Sequence, residues 1–180
     1  MISMKQRWWV GALSLVGFGL LLAVGGESNA FMPKGGRALL VQVVGDSSAK
    51  LRDIVQQKHT EAEWLDYAKE QSRTKPMTDK EQATLAAYLA VNMPAAQGVQ
   101  AAAALPRDGR DLAWEQCQNC HSLFTGFLTQ SGAATRWRNE FQFPFHRNIH
   151  MTPQEREEFA RYAEINMPMK VEDVPEDLRF

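Results

Sequence analysis

The chain repeats itself, and any fold must accommodate that. Residues 77–94, MTDKEQATLAAYLAVNMP, align without gaps to residues 151–168, MTPQEREEFARYAEINMP, with 8 of 18 positions identical. Each copy opens on a Thr-x-x-Glu capping pattern, and Pro153 stands at the first helical position of the second. Leu85, Tyr88 and Leu89 share one helical face in the first copy. A tryptophan precedes each segment, Trp64 by 13 residues to Met77 and Trp137 by 14 to Met151. Chance produces two amphipathic helices easily, but not a shared Asn-Met-Pro terminus and a shared upstream tryptophan. The expectation is an internal duplication, folded as two related lobes.

Helical periodicity also fits residues 49–57, 61–71, 110–118 and 134–141, and no strand-rich region appears, so the fold class expected is all-α. Residues 1–30 read as a signal peptide or membrane anchor: Lys5 and Arg7 precede an uncharged stretch over 8–26, and Ser28, Asn29 and Ala30 supply a cleavage-like site. An exported chain follows, periplasmic and soluble or anchored to the cytoplasmic membrane by residues 8–26. Residues 31–48 read as an extended leader with a short β-branched run at 39–44. Residues 49–94 read as the first repeat, 95–107 as a linker, and 108–180 as the second repeat and tail. The 20 basic and 21 acidic side chains leave a net charge of −1, which argues against a nucleic-acid partner.

The chemistry concentrates in Cys117, Cys120 and His121, a Cys-x-x-Cys-His run that contains both cysteines of the chain. This is the attachment pattern of c-type haem: two thiols on one helical turn add to the two vinyl groups, and the histidine reaches the iron. A thioredoxin-like dithiol would want a βαβ setting, which the pattern lacks. A zinc site would need a second ligand pair, for which His146 and His150 are the candidates. Export favours haem, which is attached outside the cytoplasmic membrane. In the first repeat, Val55, Gln56, Gln57, Lys58 and His59 take the place of the motif, with Val55 and Lys58 for the cysteines. On that alignment the stretch from histidine to tryptophan falls from 16 residues to 5. The first repeat is then a haem-less copy that has lost the loop over its site.

At these residues the second half resembles the monohaem cytochrome c family, over about 108–168. The resemblance implies a helix ending in the attachment motif, a loop, a tryptophan-led helix and a capped C-terminal helix, with the first and last helices crossing near Phe159 and Tyr162. It implies that Trp137 packs on the haem or bonds a propionate, and that Arg138 or Arg136 offsets propionate charge. It implies one covalent haem c as cofactor. The chain departs from the family where the sixth ligand belongs. Met151 directly precedes Thr152, the position of a hydrophobic staple, and its counterpart Met77 has no haem to serve. His146, six residues before the cap, is the expected ligand; Met151, His150 and an open or partner-supplied position stay as alternatives. Phe141, Phe143 and Phe145 are placed to exclude water from the iron.

Two protein ligands suit one-electron transfer. The expected function is an electron-carrying cytochrome, not an enzyme, with redox proteins as partners, free or in a membrane-associated complex. A five-coordinate haem protein that binds a gas or reduces peroxide is the alternative, and the first repeat could serve as a docking module.

Overall fold

The computed structural model describes residues 29–96 and 98–180. The apolar stretch over 8–26 and Ser28 of the cleavage-like site lie outside the described residues. Those described are helical, with no β-strand among them, and none of their helices is long and apolar enough to cross a membrane.

Lobe 1 contains α1 (Gly36–Val44), α2 (Ala49–Ile54), α3 (Glu61–Ser72) and α4 (Asp79–Asn92). Lobe 2 contains α5 (Gly109–Leu112), which continues into a π-helical turn at Ala113–Cys117, a second π-helical turn at Phe124–Leu128, then α6 (Ala134–Glu140), α7 (Pro144–Arg147) and α8 (Pro153–Asn166). The capping boxes expected at Thr78 and Thr152 both form, and Thr60 and Asp108 add two more. Each satisfies otherwise orphaned N–H groups of a first turn.

The extended leader is corrected. Residues 36–44 form a helix because Leu39, Leu40, Val43 and Val44 fall on one helical face and are buried in the core of lobe 1. The β-branched run concealed this period. Nor is the linker loose: Val99 and Leu105 are buried in that same core, and the Ala102 N–H donates to Asp46.

The helix α1 packs against α4 as α5 packs against α8, so each lobe is closed by a crossing of its first and last helices. The crossing needs a glycine on one side and a tyrosine on the other. A Cβ on Gly36 would lie 2.1 Å from Cβ of Tyr88, and one on Gly109 would lie 2.1 Å from Cβ of Tyr162. Ala95 N–H donates to Val55 O at 2.8 Å, and Met169 N–H donates to Leu128 O at 2.7 Å. The peptide bonds Met93-Pro94 and Met167-Pro168 are both cis.

These matched pairs fix the register of the duplication, and it differs from the sequence alignment upstream of Trp64. Gly36 corresponds to Gly109, Val55 to Leu128 and Trp64 to Trp137, a constant offset of 73. The counterparts of Cys117, Cys120 and His121 are therefore Val44, Ser47 and Ser48, not Val55, Lys58 and His59. From Ser48 to Trp64 is 16 residues, the same as from His121 to Trp137, so no loop has been lost.

The lobes join through α4 and α8 in an arrangement that reads nearly alike from either side, as a two-fold interface does. Tyr88 donates from its hydroxyl to Pro106 O in lobe 2 at 2.9 Å, and Tyr162 donates to Pro33 O ahead of α1 at 2.7 Å. Asn92 donates to Glu158 at 3.0 Å, while Asn166 donates to Thr84 at 2.9 Å. Even the leading residues are exchanged: Met32 enters the core of lobe 2 and Leu105 the core of lobe 1.

Candidate functional site

The π-helical turn at Ala113–Cys117 delivers Cys117 to the wall of an apolar cavity of about 410 Å³ in lobe 2. Such widened turns recur where a helix must aim a side chain at a site. Cys120, His121 and His146 line the same cavity. Phe127, Trp137 and Phe159 form its base, with ring centroids of Phe127 5.3 Å from Trp137 and 5.1 Å from Phe159. Phe141 packs edge-on against Phe159 at 5.6 Å, and Phe145 stands at the cavity with 93% of its surface exposed. Phe143, expected beside them, is exposed and does not line the cavity.

Both histidines are held by the ring nitrogen away from a would-be metal. His121 Nδ1 lies 3.0 Å from Ser122 O, and His146 Nδ1 lies 3.2 Å from Glu140 O. A backbone carbonyl at Nδ1 selects the tautomer that leaves Nε2 with a free lone pair, the usual arrangement for a metal-binding imidazole. The ring centroids are 6.2 Å apart. The ring planes are inclined at 52°. Gly126 makes the approach possible, since a Cβ there would lie 2.2 Å from Cε1 of His121. Burial and the neighbouring Cys120 push the Cys117 thiol up to about 12, which keeps it protonated at neutral pH.

The other expected site residues are dispersed. Met151 is buried in the lobe 2 core and lines a separate, open pocket with Arg107 and His150. Arg138 does not line the cavity and forms a bidentate pair with Glu157 of α8 at 2.6 and 2.8 Å. Trp137 lines the cavity and donates its indole N–H to Gly132 O at 3.1 Å. Arg136 lies over the Trp137 ring, 5.2 Å from the centroid. His59 packs edge-on against Trp64 in lobe 1, with centroids 4.7 Å apart.

Sequence reasoning missed Gly126 and Glu140. The spacing of Gly126, five residues after His121, carried no signal without the π-helical turn that folds it back. Glu140 looked like one more exposed helical acid.

Among the described residues no group of three or more His, Cys, Asp or Glu side chains is arranged to hold a metal ion. A haem bound here would be held by the thiols of Cys117 and Cys120 and the imidazoles of His121 and His146, and would supply a one-electron iron couple. Compared with protein-family models, curated proteins and solved structures, the chain matches none.

Proposed function

We propose that lobe 2 holds one haem c through thioether bonds from Cys117 and Cys120, with His121 and His146 as axial ligands, in an exported protein that passes single electrons between redox partners. The observation that carries this reading is the convergence of the two thiols and two carbonyl-oriented imidazoles on one aromatic-lined cavity. When bound, haem supplies a one-electron iron couple. Ser122 O and Glu140 O hold the two rings in place ahead of any transfer, which favours little rearrangement. Phe127, Phe141 and Phe159 exclude water from the cavity. Without a thioether ligand, which raises the potential in His/Met sites, a lower potential than theirs follows. The charged, uncharged and cleavage-like segments at the N-terminus support export.

The test is the visible spectrum of the haem-loaded chain. Wild type should be low-spin and unreactive to carbon monoxide. His146→Ala should turn it high-spin and carbon-monoxide-binding, whereas Met151→Leu should leave it low-spin. The reverse pattern would replace His146 by Met151, and a carbon-monoxide-binding wild type would favour a five-coordinate, ligand-binding role.

A further inference from the structure

Away from the cavity, the joint between the lobes buries more ionisable groups than a structural contact requires. Lobe 2 contributes three carboxyls: Asp108, Asp111 and Glu158, all buried. Each is held by donors, several of them from lobe 1. Glu158 Oε2 accepts from Asn92 at 3.0 Å and Oε1 accepts from Gly109 N–H at 3.1 Å. Asp108 accepts from Arg37 N–H at 3.0 Å, and Asp111 pairs with the Arg37 guanidinium at 2.9 Å.

We propose that closure of the two lobes binds a proton at Glu158, making the joint a pH-sensitive latch that tightens on acidification.

Charge balance is the first argument. Glu158 itself meets Asn92 and Tyr88 from α4, Asp108 and Asp111 at the start of α5, and Tyr162 from its own helix, while Arg37 from α1 and Arg110 from α5 act on Asp111 and on the two tyrosines beside it. Both tyrosine hydroxyls donate to carbonyls and are held well above their ordinary range, first by burial, so they stay neutral. Among the described residues the joint sets the guanidiniums of Arg37 and Arg110 against three carboxyls, and one proton removes the surplus negative charge in a water-poor setting. The second argument is location. Asp111, also raised by burial and Asp108, is paired with the Arg37 guanidinium, and Asp108 accepts from two backbone N–H groups at helix N-termini, those of Arg37 and Asp111, whereas Glu158 has no charged donor and is fully buried. Burial, then the neighbouring Asp108, raises its carboxyl to about 8, against the Gly109 and Asn92 hydrogen bonds that lower it.

Linkage gives the sign. A carboxyl that is neutral in the closed joint and ionised once exposed favours closure at low pH. That advantage is complete below the exposed value of 4.5 and is lost as pH rises to about 8, above which it is level. Within the window, the opening constant rises about tenfold per pH unit.

Hydrogen exchange of the full chain, corrected for intrinsic rates, reads this directly. Between about pH 5.5 and 7.5, amides of α4 and α8 near Asn92 and Glu158 should open with a steep positive slope. Glu158→Gln, which keeps the shape and the acceptor oxygen, should abolish most of that slope. A slope that is flat in wild type, or unchanged in Glu158→Gln, overturns the latch. Should the variant fold poorly, carboxyl-carbon NMR of the wild-type chain decides: a Glu158 midpoint near 8 supports the proposal, and one near 4.5 ends it.

Discussion

Lobe 1 and lobe 2 share a framework and differ in what the middle of each helical lobe contains. In lobe 1, α3 runs unbroken through 12 residues from Glu61 to Ser72. In lobe 2 the corresponding stretch breaks into α6 and α7, because residues 141–143 leave the helix ahead of Pro144. The break draws the chain aside and opens the cavity that His146 lines. Lobe 1 fills the equivalent space. Leu85 and Ala68, where lobe 2 has Phe159 and Phe141, are fully buried in its core. Tyr67, where lobe 2 has Glu140, packs beside Trp64, and burial pushes its hydroxyl up to about 12. The difference teaches that the helical crossing and the cavity are separable: the Gly–Tyr crossing is present in both lobes, while Cys117, Cys120, His121 and His146 line a cavity in lobe 2.

The sharpest way to break the comparison is at those crossings. Gly36→Ala and Gly109→Ala each place a methyl 2.1 Å from a tyrosine Cβ that has no room to withdraw. Each should cost about 3 kcal/mol in denaturant unfolding of the haem-loaded chain, at the upper end for overpacking. A marked inequality between them would mean that the two crossings are not equivalent.

The contents of the lobes come next. Leu85→Ala should cost ~3 kcal/mol and leave the haem spectrum unchanged, since its cavity would form in the filled lobe. Phe159→Ala should shift the spectrum as well as lower stability, since Phe159 lines the lobe 2 cavity. A spectral change from Leu85→Ala would contradict a haem confined to lobe 2.

The smallest effect belongs to the paired caps. Thr78→Ala and Thr152→Ala should each cost about 1 kcal/mol. Burial works against ionised Glu81 and Glu155, but hydrogen bonds from the Thr78 and Thr152 backbones, with Lys34 and Arg107, hold both carboxyls below the ordinary glutamate range. Their contribution is therefore present at neutral pH and lost as pH falls through the lowered values. Glu81→Gln and Glu155→Gln, which remove the titrating carboxyl and keep the threonine, should flatten that acid limb equally in the two lobes. A limb unchanged in either variant would show that the box does not set it.

The helical class, the capped helices and the duplication were legible because each rests on local pattern: a period, a cap, a repeated terminus. The register before Trp64 was not, because its markers are tertiary. Gly36 is informative only once Tyr88 is seen to cross it, and Val55 only once its carbonyl is seen to accept from Ala95. With those contacts hidden, the one surviving histidine, His59, drew the alignment to the wrong place. In the site, the Cys-x-x-Cys-His run and His146 could be named from spacing. The pairing of Arg138 with Glu157 could not, because both residues look like solvated charges on separate helices.

The central claim is that lobe 2 alone carries a covalent haem, and intact mass of the chain matured where haem attachment operates tests it most directly. The account predicts the added mass of one haem, lost in Cys117→Ala/Cys120→Ala, and found after digestion on the peptide that contains Cys117 and Cys120. An unmodified mass with both thiols free, or a second haem on a lobe 1 peptide, would contradict it.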